Sequence, residues 1–495
     1  MGLPAYDKRK NMKILNTDFK KTVFCIFAFI LFLFFNKNAI SAQPIKRNYW
    51  PTDGWKMSTP EQQGMDSAKL KIAVEFIEER LPDAFSLLVV KNGNLVFEKY
   101  FRQGSPDRIA AIHSVTKSFT SALIGIALDK GYLKSVDQRL YDFFPEYATD
   151  DLDWRKREIR LKHLLTMSAG LKWNDWGPDI WDWVTSLDWG EYMLQLPLED
   201  YPGNVFNYNS SLSHQLSIIL EKSTKTSTLE FADQYLFEPL GIRQRHWDND
   251  PQGYYTGGFG LSLTARDLAK LGFLYLNNGY WDGQSIVSEQ WVQASTRHRW
   301  YAHRIYGPTG YGYQWWVKDV DGCHSYRAWG RRGQFIVVAP KLDLVVVVTS
   351  ETRQPVAPTS VHYDPLFDLV AGAVKRDRPP KKPLKAIELP EDVKAFLNGF
   401  NQATADKDIL KVSEYVSDNF LSNGVTKNRL LAFFKIGAPY ISESKVILTG
   451  FERHGNLAKV EGVRKDKYFE IPILSRFYII KENGRWKWYG NQLSR

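Results

Sequence analysis

Ser114 and Lys117 stand three residues apart at the head of an apolar run, Ser114-Val-Thr-Lys-Ser-Phe-Thr-Ser-Ala-Leu-Ile-Gly-Ile-Ala-Leu128. On a helix that spacing puts both side chains on one face, one turn apart. An amine then lies within hydrogen-bond reach of a hydroxyl, and a serine is a competent nucleophile only when a neighbouring base takes its proton. The first turn of a helix adds unpaired backbone N–H groups and the positive end of the dipole, both of which favour a developing alkoxide or oxyanion. The lysine has to be partly desolvated so that its pKa falls toward working pH, and the apolar residues after it supply the wall for that. Ser-x-x-Lys is a short pattern, and its ordinary reading is a helix cap followed by a solvated lysine. Its neighbours in the chain decide between the two.

Two further groups bear on that chemistry. Phe206-Asn-Tyr-Asn-Ser210 precedes a second helical run. Tyr208, placed beside the Ser/Lys pair, would relay the proton from Ser114 to a leaving group, provided Lys117 lowers its pKa. Ser210 would hydrogen-bond Lys117 or the substrate. The other group is Trp329-Gly-Arg-Arg-Gly-Gln334, which leads into the strand-like Phe335-Ile-Val-Val338. Glycines there let backbone approach a ligand closely. The expected oxyanion hole joins the N–H of Gln334, beside Gly333, to that of Ser114. Losing one such donor typically costs about 3 kcal/mol. Arg331 and Arg332 are expected to add positive charge at the cleft.

The elements that must hold these groups can be read in outline. Ser86-Leu-Leu-Val-Val90, an Asn92-Gly93 turn and Leu95-Val-Phe-Glu-Lys-Tyr-Phe101 predict a hairpin. The middle, about 130–300, reads as helical with many loops, and five tryptophans (Trp173, Trp176, Trp181, Trp183, Trp189) fall between the first two groups. They either form a lid over an apolar substrate or pack the helical lobe. Strands return at Tyr311–Val317, Gln334–Val338 and Asp343–Thr349. First and last strands flanking a helical middle imply an α+β fold: one antiparallel sheet built from both ends of the domain, flanked by helices, with a helical lobe. Beyond Pro379-Pro-Lys-Lys-Pro383 the composition changes: Pro390–Phe434 reads as amphipathic helices and Lys445–Gln492 as strands. The expected division is a leader at 1–42, a main domain at 43–373, a stiff basic linker at 374–389 and an α+β accessory module at 390–495.

Composition narrows the function classes. The chain has 495 residues, 44% of them hydrophobic and 24% charged, as in soluble globular proteins. Its net charge of +10 comes wholly from residues 1–42 and 374–385, each with a balance of +5. The remainder is neutral, so no nucleic-acid footprint is expected. The leader has a charged flank at Lys20-Lys21, a 14-residue apolar run from Thr22 to Phe35 and a polar end at Ile40-Ser-Ala42. The run is short for a membrane span, and export is expected. Cleavage after Ala42 would leave a periplasmic or secreted protein; retention would leave a membrane-tethered one. Translation starts at Met1 or at Met12. Cys25 lies in the leader, which leaves Cys323 alone, so neither an internal disulfide nor a metal site is expected, and no cofactor.

Taken in order, these groups resemble the three motifs of the serine beta-lactamase and penicillin-binding-protein superfamily, S-x-x-K, S/Y-x-N and K-T-G. The class C beta-lactamase-like branch, with its esterases, D-amino-peptidases and 6-aminohexanoate-dimer hydrolases, is similar over longer stretches: Leu164-Leu-Thr-Met-Ser-Ala-Gly-Leu171, Tyr201-Pro-Gly-Asn-Val-Phe-Asn-Tyr-Asn-Ser210, Gly258–Lys270 and Gly333–Pro340. The resemblance covers about residues 50–370. It implies that Ser114 is an acyl-enzyme nucleophile, Lys117 its base or proton partner and Tyr208 the second-motif tyrosine. Ser210 stands where many members have Asn, and Arg331-Arg332-Gly333 where beta-lactamases have K-T-G. That departure argues against efficient antibiotic hydrolysis. A small molecule or short peptide is the implied substrate, cleaved at an ester or amide. The alternative is a non-catalytic cell-wall or ligand-binding protein on the same fold. The C-terminal module resembles the nuclear-transport-factor-like cone fold, which implies packing or a homodimer through that module.

Overall fold

The computed structural model describes residues 47–302, 309–351, 363–377, 387–422, 425–437, 445–465 and 470–492. The expected leader and the proline cluster at 379–383 lie outside them. Among the described residues no helix is long and apolar enough to cross a membrane.

The expected hairpin is present as β1 (Ala84–Lys91) and β2 (Asn94–Tyr100). Its turn needs two residues in the left-handed region, which Asn92 and Gly93 supply at φ 51° and 79°. The hairpin opens an antiparallel sheet completed two hundred residues later by β3 (Trp300–Tyr301), β4 (Gly310–Tyr311), β5 (Trp316–Val317), β6 (Tyr326–Gly330), β7 (Gln334–Ala339) and β8 (Leu344–Ser350). The strand order is β2-β1-β8-β7-β6-β5-β4-β3. β1 pairs with β8 in the register Leu88↔Val347 and Val90↔Val345, so the two ends of the domain meet in adjacent strands, second and third in the sheet.

Alternation divides these strands between two cores. Leu88, Val90, Ile336, Val338, Val345 and Val347 face the larger core, with Phe119 of α2 (Thr116–Asp129) and Phe273 of α4 (Ala265–Leu276). Leu87, Val89, Phe335, Val337, Val346 and Val348 face the other, under Phe76 and Ile77 of α1 (Ser67–Arg80) and Leu366 and Phe367 of α5 (Asp364–Gly372). Coverage on both faces explains why β7 and β8 are apolar and buried almost throughout rather than alternating with polar residues. α3 (Ser210–Thr224) crosses the larger core beside α2, capped at its start by Asn209, whose side chain accepts from Ser211 N.

The run from Tyr311 to Val317 differs from the single strand expected. It folds back between β4 and β5, with Gln314 at φ 62°. The side chain of Gln314 is buried and ties the turn to the helical lobe. Its Nε2 donates to Leu164 O and Leu165 O, and its Oε1 accepts from Ser213 of α3.

Residues beyond 387 have a core of their own. It is built on Val393, Phe396 and Phe400 of α6 (Glu391–Ala405) and on Val460, Ile479, Trp486 and Trp488. Six strands order as β10-β9-β14-β13-β12-β11, from β9 (Val416–Ser422), β10 (Val425–Thr426), β11 (Lys445–His454), β12 (Leu457–Lys465), β13 (Glu470–Glu482) and β14 (Arg485–Gly490). The stretch 390–434, read as helical from the sequence, is broken by β9 and β10, and a further helix at Lys427–Gly437 follows them before β11 begins.

Candidate active site

Ser114 sits in a 3-10 turn, His113–Val115, that runs directly into α2. His113 takes φ 47°, a strained value for a non-glycine residue. Burial, reinforced by Arg332 and Arg331, pushes the His113 imidazole down to about 4, so it is neutral near pH 7. Ser114 itself is half-buried, which leaves its hydroxyl reachable.

One turn on, Lys117 is 2% exposed. Its Nζ donates to Ser114 Oγ at 3.1 Å, to Ser210 Oγ at 3.0 Å and to Gly258 O at 2.8 Å. It also lies 5.0 Å from the centroid of the Tyr208 ring. Among the described contacts no carboxylate touches it. Burial accordingly pushes its pKa down to about 8, against a smaller upward pull from Asp175. The Ser/Lys/Tyr/Ser cluster expected from the sequence is thus assembled around one amine.

Tyr208 corrects one expectation. It is buried, stacked on Trp316 with ring centroids 5.5 Å apart and set edge-on to Tyr311. Burial drives its pKa up, and Asp175 pushes the same way; a hydrogen bond with the Ser114 side chain opposes them. The phenol therefore holds its proton and is a donor, not a group primed to ionise beside Lys117.

In the third group it is Gly330, ahead of the two arginines, that lies beside the serine turn. Gly330 approaches Ser114: a Cβ there would lie 2.3 Å from Ile112 O and 3.2 Å from Ser114 N. Gly333, at φ 91°, packs instead against Tyr363 and Ser350, where a Cβ would meet the Tyr363 hydroxyl at 1.9 Å. The buried side chain of Gln334 donates to Ser350 O. Gly330 pairs with Gln334 across β6 and β7, and it is the end of β6 that reaches the serine. Arg331 and Arg332 are both exposed. The Arg331 guanidinium lies 5.9 Å from the Trp176 ring and Arg332 pairs with Glu351 at 3.8 Å. The expected positive charge beside the serine turn is present, as its effect on His113 shows.

Asp175 is the residue that motif reading missed. It lies on the tryptophan-rich loop, where Oδ1 accepts from Ser210 N at 2.8 Å and from Trp173 Nε1 at 2.9 Å, and Oδ2 accepts from Ser210 Oγ at 3.1 Å. The loop is anchored by Asn207, whose Nδ2 donates to Trp173 O at 2.9 Å. Three of the five tryptophans pack the helical lobe. Trp173, Trp183 and Trp189 are buried, with the last two rings 4.7 Å apart, whereas Trp176 and Trp181 are exposed. Among the described residues no group of three His, Cys, Asp or Glu side chains is close enough to hold a metal ion.

A family profile described as Beta-lactamase matches residues 74–370. A curated relative, the 6-aminohexanoate-dimer hydrolase of Paenarthrobacter ureafaciens, is 27% identical over 308 residues, covering 56% of this chain and 75% of that protein. Two solved structures share the fold. The octameric penicillin-binding-protein homologue of Pyrococcus abyssi aligns with a TM-score of 0.51 and 21% identity, over 86% of this chain and 95% of that one. A penicillin-binding-protein homologue of Caulobacter crescentus aligns with a TM-score of 0.50 and 18% identity, over 62% of this chain and 97% of that one.

Proposed function

The chain belongs to the beta-lactamase family, and on that footing we propose that it is an exported serine hydrolase that forms an acyl-enzyme on Ser114 and cleaves an ester or amide, rather than a dedicated beta-lactamase. The observation that carries this reading is the Lys117 amine, buried and 3.1 Å from Ser114 Oγ, with its pKa brought down to about 8. A fraction of it is then neutral at working pH and able to accept a proton.

In the proposed reaction Ser114 Oγ bonds to the substrate carbonyl carbon while its proton passes to Lys117. The carbonyl oxygen takes the negative charge and is met by backbone N–H groups where the serine turn abuts Gly330. The C–O or C–N bond to the leaving group breaks as the neutral Tyr208 phenol donates a proton to it, and the Lys117 ammonium makes good the phenol. Water then attacks the acyl-enzyme ester, giving up a proton to the same base, and the acid product leaves with Ser114 restored. General acid–base help of this kind is worth roughly 10²- to 10⁴-fold.

The departure from K-T-G supports a substrate other than a beta-lactam. The exposed Arg331 and Arg332 suit a substrate with an acidic group. The name of the Paenarthrobacter relative, a 6-aminohexanoate-dimer hydrolase, supports linear amides as a class to test. Export rests on the leader at residues 1–42. The test is a panel of p-nitrophenyl esters, D-Ala anilides and nitrocefin given to the mature protein and to Ser114→Ala. Hydrolysis of an ester or anilide that falls by at least roughly 10³-fold in Ser114→Ala is expected, with nitrocefin left intact. Equal turnover by the two proteins would sink the proposal.

A further inference from the structure

Lys117 has three polar contacts, and their donor and acceptor capacities are not alike. Gly258 O can only accept. Ser210 Oγ has one proton, and the Asp175 carboxylate, an obligate acceptor, sits 3.1 Å away on the side where that proton can go. With its proton committed to Asp175, the Ser210 oxygen can only accept from Lys117 Nζ, at 3.0 Å. A neutral primary amine has two N–H bonds and one lone pair. Both N–H bonds are claimed by Gly258 O and Ser210 Oγ, and the third direction is occupied by Ser114 Oγ at 3.1 Å. We infer that Asp175 is a positioning residue: by holding the Ser210 hydroxyl proton it turns the lone pair of neutral Lys117 toward Ser114.

This role for Asp175 rests on the hydrolase reading above, since it is a means of orienting that reaction's base. Asp175 is fixed for the task. Its Oδ1 is held by Ser210 N and Trp173 Nε1, which leaves Oδ2 facing the hydroxyl. The backbone N–H of Ser210 is one of the unpaired donors at the start of α3, so the carboxylate also closes that helix end. An amide at position 175 keeps the two contacts on oxygen and brings an NH2 group to the Ser210 hydroxyl. The hydroxyl then accepts from residue 175 and turns its proton toward Lys117, where it occupies the lone pair that Ser114 needs. Removing the hydroxyl altogether relieves that block. A loop-shaping role for Asp175 has no such consequence.

The experiment measures kcat, KM and the pH profile for a p-nitrophenyl ester with the wild type, Asp175→Asn, Ser210→Ala and the double variant. The expected result is a fall in kcat of at least roughly tenfold in Asp175→Asn with KM nearly unchanged, and a higher kcat in the double variant than in Asp175→Asn. The rising limb of the pH profile should also move to lower pH in Asp175→Asn, because a charge that favours the ammonium is gone. Asp175→Glu and Asp175→Gln, matched in size, repeat the comparison if Asp175→Asn does not fold: the carboxylate should retain activity and the amide lose it. Wild-type rates in Asp175→Asn, or a double variant slowed by the product of the two single losses, would overturn the inference. Failure of the hydrolase reading looks different: the wild type would then be no faster than Ser114→Ala.

Discussion

Lys117 decides how the site responds to pH. Its burial, with no carboxylate in contact among the described residues, lowers its pKa from an ordinary 10.5 to about 8. Catalysis should need the neutral amine, so kcat/KM is expected to rise with pH and reach half its plateau near pH 8. The same shift acts on stability in the opposite sense to a salt-bridged lysine. Between the folded and unfolded pKa values the unfolded chain binds more protons, so Lys117 costs least at high pH. Lys117→Met, which has no such cost, should therefore lose ground to the wild type by about 2 kcal/mol as pH rises from about 7 to about 9.5, read by urea unfolding at the two pH values. A pH-independent difference would mean that the lysine is not desolvated. Ser114 and Lys117 could be named from sequence because a spacing of three at the head of a helix brings them together by local geometry; Tyr208 and Ser210, which meet Lys117 across more than ninety residues, were legible only as the second motif in order. Asp175 could not, because its role depends on where a loop folds back onto Ser210. The available signal was an acid in the aromatic stretch between the first two motifs.

At the scale of elements, close backbone approach is what sets the serine turn against the sheet. A methyl group at position 330 would have to push aside Ile112 O, on the residue that leads into the turn. Gly330→Ala is expected to cost about 1–3 kcal/mol of stability and to lower kcat far more than KM, measured by thermal unfolding and steady-state kinetics. Gly330 and Gly333 lie in the same short glycine-arginine run, and the sequence cannot tell which faces Ser114. The fold settles it: Gly330 backs onto Ile112 O and Ser114 N, whereas Gly333 backs onto Tyr363. The helix Asp179–Val184, which follows Asp175, allows a paired prediction. Trp183 is fully buried and donates from Nε1 to Trp189 O at 3.0 Å, while Trp181 is 65% exposed. Trp183→Ala should cost about 3–5 kcal/mol, and Trp181→Ala should stay within about 0.5 kcal/mol of wild type. Similar losses for both would show that this helix packs otherwise. Beneath it, the buried His214–Asp250 pair, 2.9 Å apart, ties α3 to the turn that follows the strand Arg245–Trp247.

For the molecule as a whole, the antiparallel sheet from both ends of the domain was legible because the valine-rich runs at 86–90 and 343–349 have strand character and flank everything else. The break at Gln314 was not, since a buried glutamine bonded to Leu164 and Leu165 leaves no local pattern. The described residues between 390 and 492 form a core distinct from the two that hold the sheet, and among the described contacts of Lys117 none comes from that core. A chain ending at Asp377 is expected to keep kcat/KM within roughly twofold of the full-length protein, and loss of activity in a folded truncation would give the C-terminal module a part in the site. The most direct measurement is covalent: treatment of the mature protein with a fluorophosphonate between about pH 6 and pH 10, followed by peptide mapping. A single adduct on Ser114, forming faster as pH rises through about 8, is the expected result. A folded protein that takes no adduct at any pH, or takes it on another serine, would contradict the account.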